Sequence, residues 1–86
     1  MKNNDAWELK VTDRKSFEKF ISLLLTDFKK NPENWENNRL DLFLEAMSRY
    51  TADLDGYYKN IEPECDADIP TWKVFADIMR GAVVYE

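Results

Sequence analysis

Apolar side chains recur at helical spacing in three separate blocks of the chain. In the first block, the residues at positions 17, 20, 21, 24 and 28 fall on one face of an α-helix. In the second block the same 3.6-residue period runs from Leu40 to Tyr57, and a shorter block follows from Trp72 to Val83. Prolines at positions 32, 63 and 70 separate the blocks. The pattern therefore predicts three amphipathic helices.

Polar residues at the ends of the blocks set the boundaries of these helices. A side-chain oxygen can accept from the free amides of a first helical turn, and suitable residues precede each block: Asp13 or Thr12, Asn37 or Asn38, and Thr71. The end of the second helix has two alternatives. The helix either stops at Gly56 or runs through it, and the apolar period, which continues into Tyr57, favours the second alternative. The helices are predicted over about residues 13–30, 38–57 and 72–82, with an acidic loop at 59–70.

Three helices of this kind predict an all-α fold, a small antiparallel bundle formed by a single domain over residues 1–86. The short segments 7–11 and 82–85 are apolar or β-branched, and three alternatives stay open for them: they extend, pair with each other, or pack over the bundle. Apolar runs such as Leu23 to Leu25 and Ala82 to Tyr85 span no more than four residues, and the first ten residues do not resemble a secretory signal. We therefore expect a cytoplasmic protein.

The negative charge of the chain is concentrated in one segment. The whole sequence has a net charge of −5, and residues 53–68 alone contain six acids against the single base Lys59. A local field of this sign repels phosphate backbones and anionic membranes, and it accelerates encounters with basic proteins. We therefore expect a basic protein as partner, and neither nucleic acid nor a membrane.

Two adjacent tyrosines lie within the acidic segment. Consecutive helical positions point about 100° apart, so one of the two rings is expected to be exposed beside the acids. Tyrosine is favoured at interfaces because it offers a large apolar area together with a hydroxyl group. The predicted contact patch is centred on Asp55 and Tyr58. The full set of predicted partner-binding residues is Asp53, Asp55, Tyr57, Tyr58, Glu62, Glu64, Asp66 and Asp68.

Part of the acidic segment has the spacing of a calcium-binding loop. The residues at positions 1, 3, 5, 6 and 12 of that pattern would be Thr51, Asp53, Asp55, Gly56 and Glu62. However, Thr51 lacks the charge of the usual first ligand, and Pro63 follows where an exiting helix should be under way. Calcium binding is therefore a minor alternative, and no metal ligand or cofactor is predicted.

The residues needed for most forms of catalysis are missing from the sequence. It contains no histidine, and its one thiol, Cys65, lies between Glu64 and Asp66, whose charges are expected to raise its pKa. We therefore expect a binding protein and not an enzyme. Two further alternatives are an enzyme that uses carboxylates alone and a self-associating domain whose tyrosines and Trp72 form a homodimer face.

Four sequence blocks resemble those of a known family. They read WENNRLDLFLEAM, DLDGYY, PTWKVFADIM and the terminal VYE. With these blocks the chain resembles a family of short acidic bacterial proteins of unknown function, over nearly its whole length from Val11 to Glu86. The resemblance implies a shared domain and supplies no catalytic residue.

A weaker resemblance, in size, acidity and helical content, is to the colicin nuclease immunity proteins. Those proteins bind basic nucleases through acids and a pair of tyrosines, and the corresponding residues here are Asp53, Asp55, Tyr57 and Tyr58. In that family a proline follows the tyrosine pair, whereas here the next residue is Lys59. The resemblance implies an immunity or antitoxin-like role in which acids steer the partner and tyrosines supply contact area.

Overall fold

The structure is a computed structural model, and it describes residues 5–86. It contains three α-helices and one short 3-10 helix: α1 (Arg14–Lys30), the 3-10 helix (Pro32–Asn34), α2 (Leu40–Ile61) and α3 (Trp72–Val84). No strand occurs between residues 5 and 86. The predicted all-α class and the three main helices are confirmed.

The last helix along the chain is the middle helix in space. α3 packs against both α1 and α2, which do not pack closely against each other. Phe17 near the start of α1 contacts Trp72 at the start of α3, and Phe20 further along α1 contacts Arg80 further along α3, so these two helices run in the same direction. Tyr50 of α2 lies beside Gly81 near the end of α3, and Tyr58 reaches Asp77 nearer its start, so α2 runs antiparallel to both.

Two apolar clusters hold α3 between its neighbours. The cluster between α2 and α3 contains Leu54, Tyr58 and Val74. The cluster on the α1 side also includes residues that precede α1, and its buried members are Ala6, Val11, Phe20, Leu24, Ala76 and Val83. Because such clusters exclude water from large side chains, their burial is the main stabilising contribution to the fold.

The predicted caps of α1 and α3 are confirmed. The Asp13 carboxylate accepts a 2.8 Å hydrogen bond from the Ser16 amide, and the Ser16 hydroxyl accepts one from the Asp13 amide, which forms a reciprocal capping box. The Thr71 hydroxyl accepts from the Val74 amide at 3.1 Å. Each cap satisfies an amide that has no partner within its own helix.

The predicted cap of α2 is wrong. α2 begins at Leu40 without a side-chain cap, and Asn37 serves the end of α3 instead. The side-chain amide of Asn37 donates to the carbonyls of Ala82 and Tyr85 at 2.8 and 2.9 Å, and the backbone amide of Asn37 donates to the carbonyl of Val83 at 3.0 Å. The last carbonyls of a helix lack partners within the helix, and the loop after α1 brings a donor to them.

α2 is longer than predicted and continues through Gly56 to Ile61. The cost of a glycine inside a helix is about 1 kcal/mol, and the burial of Leu54 and Tyr58 on either side of it exceeds that cost. The acidic loop therefore begins at residue 62 and not at 59. α3 also extends two residues beyond its predicted end, to Val84.

The N-terminal segment, residues 7–11, packs over the bundle, which is one of the three predicted alternatives. The guanidinium of Arg80 in α3 donates to the carbonyls of Ala6 and Leu9 at 2.8 and 2.6 Å, and Val11 is buried. Residues 82–84 complete the last turn of α3. Pairing of the two segments as strands is not found within residues 5–86.

Candidate functional site

The helical geometry of α2 divides the predicted contact patch. Asp53 and Tyr57 are four residues apart and share a face, whereas Asp53 and Asp55 lie about 200° apart around the helix axis. The remaining predicted acids lie beyond α2, in the loop that connects it to α3. The predicted residues therefore form two groups, one on α2 and one in the loop.

Tyr58 is buried and cannot form a contact patch, so its place at the centre of the predicted site is corrected. Only 1% of Tyr58 is exposed, against 45% of Tyr57. Its hydroxyl donates a 2.5 Å hydrogen bond to the Asp77 carboxylate, and the Lys73 ammonium lies 5.1 Å from its ring centre. Burial and the bond to Asp77 both raise the pKa of Tyr58. Tyr57 is the exposed tyrosine of the pair.

Asp53 is exposed, but its carboxylate has a partner within the protein. It accepts a hydrogen bond from the hydroxyl of Tyr85. Tyr50 lies between Tyr57 and Tyr85, with ring centres 6.1 and 5.2 Å away. These contacts connect the residue after α3 to the side of α2. We therefore assign Asp53 a role in anchoring Tyr85.

Glu62, at the end of α2, belongs to a charge network with three residues of α3. Lys73 lies 2.8 Å from Glu62 and 2.7 Å from Asp77, and Arg80 lies 3.0 Å from Asp77. The hydrogen bond from Lys73 and a weaker one from Cys65 lower the pKa of Glu62. Two acids are thus balanced by two bases, and Glu62 adds little to the outward negative field.

The three later acids of the loop are exposed and have no such balance. Glu64, Asp66 and Asp68 form no ion pair with any residue in the described part of the chain. The backbone that carries them is ordered by hydrogen bonds within the loop. The Cys65 amide donates to the Glu62 carbonyl at 2.9 Å, and the Asp68 amide donates to the Asp66 carboxylate at 2.9 Å. The loop therefore presents three uncompensated charges within five residues.

A groove of about 960 Å³ lies between this loop and the segment of residues 7–12. α3 forms its floor, where Lys73, Asp77 and Arg80 are among the lining residues. Glu64 and Asp66 line the side formed by the loop. The groove also exposes apolar side chains, since Trp7, Ile69 and Trp72 are 40%, 54% and 36% exposed. It combines apolar surface with unbalanced acids.

This groove is not predicted by any pattern in the sequence. Trp7 lies more than fifty residues before Ile69 and Trp72, and no local pattern connects them. They come together because Arg80 fixes the N-terminal segment on α3. A tryptophan in a short segment with no helical period was the only available signal.

The thiol of Cys65 is partly buried and is held within the loop. It donates a 3.3 Å hydrogen bond to the Glu62 carboxylate, and this bond, followed by burial, raises its pKa. The thiol is therefore a poor nucleophile. Glu62, Glu64 and Cys65 offer potential metal-ligand atoms within 4.8 Å of one another. Because Lys73 already pairs with Glu62, a cation would have to displace it.

The calcium-loop alternative requires a turn that the structure does not form. Thr51, Asp53, Asp55 and Gly56 all lie inside α2, and only Glu62 lies just past its end. An α-helix points Asp53 and Asp55 in nearly opposite directions, whereas a calcium loop converges its carboxylates on one point. The geometry argues against this alternative.

A comparison with protein-family models matched residues 13–86 to a family described as "Family of unknown function (DUF7660)". The chain belongs to this family. The match begins at the cap of α1 and includes all three helices and the acidic loop. The resemblance to a family of unknown function is thereby confirmed. Neither the search of curated proteins nor the search of solved structures found a match.

None of the helices between residues 5 and 86 combines the length and the apolar character needed to cross a membrane. α2 is the longest of them at 22 residues, but it contains six charged side chains: Asp41, Glu45, Arg49, Asp53, Asp55 and Lys59.

Proposed function

We propose that this chain is a cytoplasmic, non-enzymatic protein that binds a basic protein partner through its acidic loop, in the manner of an immunity protein or antitoxin. One observation carries the proposal. Glu64, Asp66 and Asp68 are exposed and unpaired among the described residues, whereas Glu62 and Asp77 nearby are neutralised by bases. The protein thus keeps one local excess of negative charge facing solvent.

This arrangement suits the capture of a basic surface. Clustered charges of one sign attract a partner of opposite sign over roughly a Debye length, about 10 Å at 0.1 M salt, and they raise the association rate. Tyr57 supplies exposed aromatic area on the adjoining helix, and Asp55 adds a further exposed acid there. Charge would govern the encounter, and aromatic contact would prolong the complex.

The test compares two variants with the same change in net charge. In the loop variant, Glu64→Gln, Asp66→Asn and Asp68→Asn remove the three charges and keep the side-chain shapes. In the control variant, Glu18→Gln, Glu33→Gln and Glu36→Gln remove three exposed acids from other parts of the surface. Each protein is used as bait for affinity capture from the native host at low and at high salt.

We expect the wild-type protein and the control variant to retain a protein of high isoelectric point at low salt, and the loop variant to lose it. Equal retention by both variants, or the absence of any basic protein, would contradict the proposal.

Self-association is a second candidate, favoured by the exposure of Tyr57 and Trp72. Sedimentation of the same proteins tests it. A dimer that is unchanged in the loop variant and weakened by Tyr57→Ala would support self-association in place of a basic partner.

A further inference from the structure

We propose that the groove between residues 7–12 and the acidic loop receives an extended segment of the basic partner, in which Lys or Arg side chains adjoin a large apolar side chain. The inference rests on the proposed function and adds the place and the chemistry of binding. The groove has an apolar surface that the apolar side chain would cover and a negatively charged surface that the Lys or Arg side chains would neutralise.

The apolar surface comes from three side chains that remain well exposed although large. Trp7, Ile69 and Trp72 are 40%, 54% and 36% exposed, and all three line the groove. Apolar side chains of this size gain most when a partner removes them from water, and tryptophan is enriched among residues that dominate binding. An inserted leucine, methionine or aromatic side chain would cover them.

The charges in the groove select the sign of the partner. On the floor, Asp77 is paired with Lys73 and Arg80, and Glu62 with Lys73. On the loop side, Glu64 and Asp66 have no ion-pair partner among residues 5–86. The N-terminal side has one charge of each sign, Glu8 and Lys10. The net field of the groove is therefore negative, and it favours Lys or Arg.

Both sides of the groove are fixed before any partner arrives. Arg80 holds the N-terminal side through the carbonyls of Ala6 and Leu9, and Lys73 holds the start of the loop through Glu62. Both of these bases belong to α3, which is the floor. A preformed groove loses little conformational freedom on binding, which favours affinity for a short segment.

The test uses three capped synthetic heptapeptides and the full chain labelled with ¹⁵N. One peptide alternates lysine and leucine, the second alternates lysine and serine, and the third alternates glutamate and leucine. The protein has three tryptophans, and each gives an indole N–H signal. Trp7 and Trp72 line the groove, whereas Trp35 does not. The indole N–H of Trp35 donates a 2.9 Å hydrogen bond to the Asp27 carboxylate, and its signal serves as an internal control.

We expect the lysine–leucine peptide to shift the signals of Trp7 and Trp72, to leave that of Trp35 unchanged, and to bind at least tenfold more tightly than the other two peptides. Equal affinity for the lysine–serine peptide would show that charge alone drives binding and would overturn the inference. Tighter binding of the glutamate–leucine peptide would overturn it as well.

Two double variants distinguish binding in the groove from binding to other acidic parts of the surface. The double variant Trp7→Ala with Ile69→Asn removes apolar groove surface at exposed positions outside the helices. It is expected to lower the affinity for the lysine–leucine peptide at least tenfold. Glu18→Gln with Glu33→Gln alters exposed acids that do not line the groove, and it is expected to leave that affinity within twofold.

The two proposals fail in different ways. If the captured basic protein depends on the loop acids but not on Trp7 and Ile69, the proposed function stands and the groove inference is overturned. If the peptide binds in the groove and no basic protein is captured, the groove is supported and the proposed function is contradicted.

Discussion

The ring of Tyr50 in α2 lies directly against the backbone of Gly81 in α3. A Cβ atom added at Gly81 would overlap three carbon atoms of that ring. The absence of a side chain at position 81 is therefore what allows Tyr50 to pack here and to contact Tyr57 and Tyr85.

The substitution Gly81→Ala should destabilise the protein by about 1–3 kcal/mol, because the added methyl group must displace the Tyr50 ring from its packed position. The intrinsic preference of helices for alanine, about 1 kcal/mol, opposes this loss only in part. Urea denaturation measures the net change.

The second glycine of the chain provides a matched control. Gly56 lies inside α2 with nothing within 4 Å of an added Cβ atom, so Gly56→Ala should stabilise the protein by about 0.5–1 kcal/mol. Similar stabilisation by both substitutions would show that position 81 has no packing constraint.

The hydroxyl of Tyr58 should matter for stability and that of Tyr57 should not. Tyr58→Phe removes the hydrogen bond to Asp77, a charged acceptor, and should cost about 1.5 kcal/mol. Tyr57→Phe removes an exposed hydroxyl and should change stability by less than about 0.5 kcal/mol. The free energy of unfolding of each variant in urea tests the difference. Equal effects would contradict the stabilising role of the Tyr58 hydroxyl, and a larger loss in Tyr57→Phe would mean that the two tyrosines have been assigned the wrong way round.

Asn37 should be necessary for the end of α3. Asn37→Ala leaves the carbonyls of Ala82 and Tyr85 without their donor, and we expect a loss of about 1–3 kcal/mol. The neighbouring Asn38 is exposed, and Asn38→Ala should have almost no effect. Hydrogen exchange of the amides in the last turn of α3 gives a local measurement. Unchanged protection in Asn37→Ala would contradict the capping role.

The stability of the protein at acid pH should depend on Asp13. The hydrogen bonds from the amide and the hydroxyl of Ser16 lower the pKa of Asp13 below its ordinary value of 3.8. A carboxylate with a lowered folded-state pKa contributes stability that is present above its ordinary pKa and is lost as pH falls through the folded-state value. Asp13→Asn keeps a capping side chain without titrating, so its stability should fall less steeply below pH 3.8. Denaturation midpoints measured from neutral to acid pH test this, with Glu18→Gln as control.

The parts of the fold that depend on nearby residues could be predicted from the sequence. The helical period identifies Phe20 and Leu24 as core residues of α1, and both are buried. The caps Asp13 and Thr71 act within three residues of their own position, so a local pattern is sufficient to find them.

The features that depend on distant contacts could not be predicted. Asn37 has the composition of a helix cap, but its partners lie 45 and 48 residues away at the end of another helix. The apolar period runs into Tyr57, yet α3 packs against the side of α2 that carries Tyr58, and Tyr58 is the buried tyrosine. The same holds for the groove, whose two sides are brought together by α3.

The position of α3 between α1 and α2 has a consequence for the order in which the chain can fold. During synthesis α1 and α2 are made first, yet each finds its main packing surface on the helix that is made last. A chain interrupted before Trp72 would hold two amphipathic helices whose apolar faces lack their partner, and it should remain unfolded or aggregate. Folding is therefore expected to be a single cooperative step that waits for α3, and a series of stalled chains of increasing length should gain protease resistance abruptly once that helix is complete.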